Sequence, residues 1–133
     1  MILADTNVLL DIFTDDPVWA DWSTARLDAA LILGPVAIND VVFAGLSVRF
    51  ERIDDVDAAL ASAGIEIDPI PREALFLAGK AFRGYRRAGG PRSGVLPDFF
   101  IGAHAAVRGW PLITRGARRY RTWFPGLELI TPA

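Results

Sequence analysis

The feature that most constrains this chain is that its strand-like runs are short and come singly. Apolar runs lie at residues 2–4, 35–38, 111–114 and 127–130, and an alternating one spans 65–70. Most are separated by stretches with helical spacing. Strands isolated in this way cannot meet through tight hairpins, so the pattern calls for a parallel sheet reached by helical crossovers and covered on both faces. The helical stretches carry readable ends. Asp5, Thr6 and Asn7 are N-cap types before Val8, Leu9, Leu10, Ile12 and Phe13; Asp16 with Pro17 predicts a helix start whose body runs over 18–33 to Gly34. Asn39 or Asp40 caps a helix carrying Val41 through Phe50, a further helix spans 53–63 before Gly64, and 73–87 is amphipathic with a basic face. Residues 88–94, rich in Gly, cannot continue it and are expected to be the most flexible part of the chain. A buried helix over 96–108, opened by Pro97 and Asp98 and stopped by Gly109, and a basic turn or short helix over 115–124 complete the pattern.

A length of 133 residues suits a single domain, and 52% hydrophobic against 23% charged residues is far from the composition of disorder. No apolar run reaches the roughly 18 residues of a membrane span, and the opening Met1-Ile2-Leu3-Ala4-Asp5 has no basic, then apolar, signal pattern. A cytoplasmic location with no membrane partner is expected. The absence of cysteine excludes a disulfide framework, a thiolate metal site and a cysteine nucleophile, and the single histidine excludes a multi-histidine cage. Any chemistry must be run by carboxylates, hydroxyls or the backbone.

The net charge of −2 hides a strong asymmetry. Residues 1–68 carry 13 Asp/Glu against 3 Arg, and residues 69–133 carry 3 Asp/Glu against 11 Lys/Arg. All cations but Lys80 are Arg, whose planar fork suits phosphate. The split points to a polyanion near the C-terminal half, or to an acidic face meeting a basic one in a dimer.

In an open parallel sheet, ligands bind outside the carboxyl ends of the strands. Asp5 follows the first strand, Asp98 opens a late helix and Thr114 closes the strand after it, so three distant segments can point polar groups at one edge. Two carboxylates held together repel unless a hard cation with oxygen ligands neutralises them. Such a site suits phosphodiester hydrolysis, in which a metal orients and deprotonates water. Taken singly, either Asp is more often a helix cap than a ligand.

Three segments add to this: Asp5-Thr6-Asn7-Val8-Leu9-Leu10-Asp11, Leu96-Pro97-Asp98-Phe99-Phe100-Ile101-Gly102-Ala103-His104-Ala105, and Leu112-Ile113-Thr114-Arg115-Gly116-Ala117-Arg118-Arg119-Tyr120. In order and spacing the chain resembles PIN-domain ribonuclease toxins of the VapC type over essentially its whole length. The resemblance implies a single PIN-like domain over 1–133, a three-layer α/β/α fold around a parallel sheet, and Mg²⁺-dependent (or Mn²⁺-dependent) RNA cleavage. It also implies a homodimer and a cognate antitoxin. Asp5 and Asp98 match the family's first and third acids, as catalytic and metal-binding residues. The second and fourth places, usually Glu and Asp, hold Gly45 and Gly116. Gly45 is out of place inside a predicted helix. A naturally degenerate domain, an inactivated toxin, or completion of the site by Asp40 would each account for the two glycines. Asp40, five positions from Gly45, is a poor geometric substitute.

Thr6, Asn7 and Thr114 are candidate supports for the acids, or local backbone partners. Arg115, Arg118 and Arg119, with Arg121, Tyr120 and Trp123 nearby, are candidate RNA contacts or a solvated basic face. His104 is expected to be structural, and Trp19 and Trp22 to belong to the core or a dimer interface. Two other readings compete. The start also resembles a haloacid-dehalogenase phosphatase motif, but Asn7 stands where that mechanism needs a second carboxylate, and Lys80 alone is a weak candidate for its lysine. A non-enzymatic module that binds only antitoxin or RNA is favoured by the two glycines. No G-x-G-x-x-G follows the first strand, which removes a dinucleotide site.

Overall fold

The computed structural model of the chain describes residues 1–92 and 95–132. Five strands form one sheet: β1 (Ile2–Ala4), β2 (Val36–Ile38), β3 (Ile65–Ile67), β4 (Leu112–Ile113) and β5 (Leu129–Ile130). Their order is β3-β2-β1-β4-β5 and every pairing is parallel. The described residues also form α1 (Thr6–Phe13), α2 (Ala20–Leu33), α3 (Asp40–Ser47), α4 (Ile53–Ala63), α5 (Arg72–Arg87), α6 (Leu96–Arg108) and α7 (Arg118–Trp123). The three inner strands are buried throughout, as expected where helices cover both faces of a parallel sheet. The edges differ. Ile67, expected to share the apolar face of Ile65, is 45% exposed, because β3 has one neighbour and lies at the sheet margin.

The chain starts in the centre at β1, builds outward through β2 and β3, then returns to lay β4 on the other side of β1. That reversal is the switch point at which strand ends leave a crevice. On one side of the sheet α6 is buried nearly all round, through Phe99, Ile101, Gly102, Ala103, His104 and Ala105, and α5 packs its apolar stripe against it. Gly102 is required here. A Cβ at this position would stand 2.6 Å from the Phe124 ring and 3.1 Å from that of Tyr120, so its absence lets the segment after β4 lie directly on α6.

Two helix boundaries moved. The α-helix predicted to start at Asp16 begins at Ala20. Asp16 instead caps the turn leading into it, its Oδ1 accepting from Val18 N and Trp19 N at 2.9 Å each. The helix expected to reach Phe50 ends at Ser47, where the chain tightens: Arg49 N donates to Leu46 O and Phe50 N to Ser47 O. The glycine-rich 88–94 segment leaves α5 as expected, and residues 93 and 94 lie outside the described part.

Candidate active site at the switch point

Asp5 and Thr114 end the two strands that flank the switch point, and Asp98 reaches the same place from the first turn of α6. All three sequence segments meet there. A cleft of about 1250 Å³ is lined by Asp5, Thr6, Asn7 and Asp98, with Gly45, Gly116 and the arginines 115, 118 and 119 among its other walls. Thr114 lies beneath it, fully buried.

Asp5 is almost fully buried and heavily coordinated. Its Oδ1 accepts from Thr6 N at 2.7 Å, while its Oδ2 accepts from Thr114 Oγ1 at 2.8 Å and from the Tyr120 hydroxyl at 2.9 Å. Burial raises its pKa and the nearby Asp98 charge raises it further; the three hydrogen bonds oppose this without reversing it. Burial and the two carboxylates push Tyr120 well above the usual phenol range, so its proton stays on the oxygen and is donated to Asp5. Tyr120, grouped from sequence with the candidate RNA contacts, is thus a support for Asp5. Asp98 is half-buried and paired with Arg119, whose Nη1 donates to its Oδ2.

The candidate supports divide. Thr6 and Thr114 both touch Asp5. Asn7 instead accepts from Arg115 N at 3.5 Å, helping hold the loop after β4. The arginines divide as well. Arg115 makes a two-pronged bond to Asp11, Nε to Oδ2 at 2.8 Å and Nη2 to Oδ1 at 2.9 Å, with Trp19 under its guanidinium at 5.4 Å. Arg118 is exposed. Asp11, which the sequence reading left without a role, is 2% exposed and also accepts from Ser23 Oγ. A charged residue in an otherwise apolar helix was the signal for it. Trp19 and Trp22 stand edge to face 6.2 Å apart, and Trp22 packs against the core. His104 is fully buried outside the cleft: Asn39 Nδ2 lies 3.1 Å from its Nδ1 and Asp68 Oδ2 2.7 Å from its Nε2. Because Asn39 Oδ1 already accepts from Val42 N, the amide must donate to Nδ1, which leaves the His104 proton on Nε2, facing Asp68.

A PIN domain profile matches residues 2–124. The chain belongs to the PIN-domain family. Three solved structures share its fold: VapBC2 from Rickettsia felis at 19% identity and TM-score 0.76, covering 100% of both chains; VapBC from Salmonella typhimurium at 20% and 0.71, covering 98% of each; and a toxin–antitoxin complex from Klebsiella pneumoniae at 23% and 0.67, covering 100% of this chain and 98% of that one. No curated protein matches the chain.

PIN nucleases generally use divalent metal ions, and the donor set here does not fit one. Asp5 has three donors on its two oxygens, Asp98 holds a guanidinium, and Gly45 and Gly116 offer no side chain. Asp40 lines the cleft but is exposed, and among the described residues no group of three His, Cys, Asp or Glu is placed to hold a metal. The two glycines are not equivalent. A Cβ at Gly45 would stand 2.8 Å from Thr6 Cγ2, so Thr6 fills the space that a side chain there would need; at Gly116 the nearest atom is Asn7 Nδ2, at 3.6 Å.

Proposed function

We infer that this chain is the toxin-type partner of a toxin–antitoxin pair, built on the site of a Mg²⁺-dependent endoribonuclease but disarmed in this sequence, so that it binds antitoxin and RNA in place of cutting RNA efficiently. One observation carries this reading: Asp5 and Asp98 share one switch-point cleft in a PIN domain, and among the described residues no third acid is placed to hold a metal with them. A bound divalent ion would supply a Lewis acid and an activated water for phosphodiester hydrolysis. The chain's own residues prepare for it incompletely. Thr114, Tyr120 and Thr6 N fix the orientation of Asp5, but the charge that would hold a small hard cation is halved relative to the family's four acids.

Binding has more support. Tyr85, Trp123 and Thr122 form a wall of the cleft beside exposed Arg118, a surface on which a strand of RNA can place a phosphate and a base. An antitoxin partner follows from the likeness to toxin–antitoxin structures, and the same reading carries a homodimer and a cytoplasmic location. No helix among the described residues is long and apolar enough to cross a membrane.

The test is a side-by-side incubation of the chain and its Gly45→Glu/Gly116→Asp variant with a broad RNA pool in Mg²⁺. The parent should show little or no cleavage. The double variant should cleave, and adding Asp98→Asn should abolish that gain. A folded double variant that binds Mg²⁺ and stays inert would remove the nuclease ancestry and leave a binding module.

A further inference from the structure

The cleft carries its own cation. Arg119 and Tyr120 are consecutive residues of α7, and between them they occupy both acids: Arg119 Nη1 donates to Asp98 Oδ2, and the Tyr120 hydroxyl donates to Asp5 Oδ2. The Arg119 guanidinium also lies 6.0 Å from the centre of the Tyr85 ring. That ring is itself fixed, stacked on Phe82 and packed against Phe99 and Trp123.

We propose that Arg119 is a built-in counter-ion for Asp98, a latch on α7 that takes the position a divalent cation needs and is one of the reasons the donor set does not fit one. This rests on the reading of the cleft as a PIN-type metal site. Arg119 cancels one of the two negative charges available, and a small hard cation sheds its water only where charge compensates. The latch can open. The side chains of Arg119 and Asp98 are 34% and 32% exposed, so the pair is weakened by solvent, and the Tyr85 face gives the displaced guanidinium an alternative seat. Arg115 cannot play this part, because Asp11 holds both prongs of its fork. Arg118, one residue earlier, is exposed and makes no ion pair with a described acid. The device suits a site short of acids: with Gly45 and Gly116 in place, an arginine stabilises Asp98 without a metal.

The experiment measures Mn²⁺ binding to the full-length chain by electron paramagnetic resonance of the free ion, with circular dichroism and melting curves as fold checks. Arg119→Gln should bind Mn²⁺ about tenfold more tightly than the parent, the scale of one unit-charge interaction across a half-solvated cleft. Arg119→Lys, which keeps the charge, should stay near the parent. Arg121→Gln, which removes a cation outside the cleft, should change nothing. Adding Asp98→Asn to Arg119→Gln should cancel the gain. If Arg119→Gln does not fold, Arg119→Met, which keeps an apolar stem over Tyr85, carries the same expectation. Equal Mn²⁺ affinity in a folded neutral variant and the parent, or equal gains for the Gln and Lys variants, overturns the latch. The Gly45→Glu/Gly116→Asp variant separates the two failures. If it gains Mn²⁺ affinity while Arg119→Gln does not, the latch falls and the metal-site reading stands; if neither gains, both fall.

Discussion

Two pairs of aspartates in this molecule have opposite fates. Asp11 and Asp68 are each met by a guanidinium and a second donor in fixed geometry: Asp11 by both prongs of Arg115 and by Ser23 Oγ, Asp68 by Arg108 and by His104 Nε2. Asp5 and Asp98 face each other's charge across an open cleft, and only Asp98 has a cation of its own. Asp68 and Asp5 both follow strands, yet their pKa values move in opposite directions. Partial burial pushes Asp68 up, but the hydrogen bonds from His104 and Arg108 and the Arg108 charge outweigh it and the net is lowered; burial dominates at Asp5 and the net is raised. The position of a carboxylate at a strand end therefore says little. What separates scaffold from site is whether the surroundings complete it.

The largest effect is expected where that completion is broken. Arg115→Ala leaves Asp11, buried in α1, without its cation. Losing one partner of a buried pair costs about 3–5 kcal/mol, and because the Arg115 side chain is 32% exposed the expected loss here is about 2–3 kcal/mol. A thermal melt should fall by roughly 6–12 °C. Asp98→Ala, which removes a cleft acid, should shift the melt by much less. Similar losses for the two variants would erase the distinction between scaffold and site.

Asp68→Ala is next. It leaves the Nε2–H of fully buried His104 with no acceptor, at a cost of about 1–3 kcal/mol. This effect depends on pH with a definite sign. The folded pKa of Asp68 is depressed, so its contribution is fully present above its unfolded value, about 3.9, and is lost as pH falls through the folded one. Parent and variant stabilities, measured by urea unfolding from pH 7 downward, should converge in acid. A constant gap across that range would show that the Asp68 charge is not what stabilises the cluster.

Much of the frame was readable before the fold was known, for physical reasons that also mark where reading stops. Asn39 caps α3 through Val42 N, and Gly64 and Gly109 end α4 and α6 at φ 73° and 70°, because local chemistry decides those points. Asp5 and Asp98 were expected at one edge because one follows the first strand of a parallel sheet and the other opens a late helix. Local chemistry could not reveal that Arg115 is locked onto Asp11, 104 residues away, or that Arg119 sits on Asp98, since each pairing exists only after β4 has been laid beside β1. Three arginines that look alike in sequence therefore have three different surroundings.

The glycine positions sharpen the comparison further. Gly45→Ala adds about 1 kcal/mol of helix propensity but must displace Thr6, whose Cγ2 would stand 2.8 Å from the new Cβ. The two should nearly cancel. Thr6→Ser removes the obstructing methyl, so in that background Gly45→Ala should stabilise by about 1 kcal/mol. Denaturant unfolding of the four proteins of this cycle measures the coupling, and a coupling of zero would mean that Thr6 does not occupy the space of the missing side chain.

Gly116→Asp should have the smallest effect on stability and the most informative dependence on metal. The new Cβ has only Asn7 Nδ2 near it, at 3.6 Å, an ordinary contact, and Gly116 has no positive φ to make a side chain strained. The amide is placed to donate to the added carboxylate, which offsets part of the repulsion from Asp5 and Asp98. In metal-free buffer the change should stay within about 0.5 kcal/mol of the parent. A third acid does change what the cleft can hold. Binding to the folded state raises stability by RT ln(1 + [L]/Kd), so a melt in Mg²⁺ should rise more for the variant than for the parent, and more again when Arg119→Gln is added. Equal Mg²⁺ responses in all three proteins would place Gly116 outside the metal's reach, and Asp5 and Asp98 would then be a cleft pair without a site.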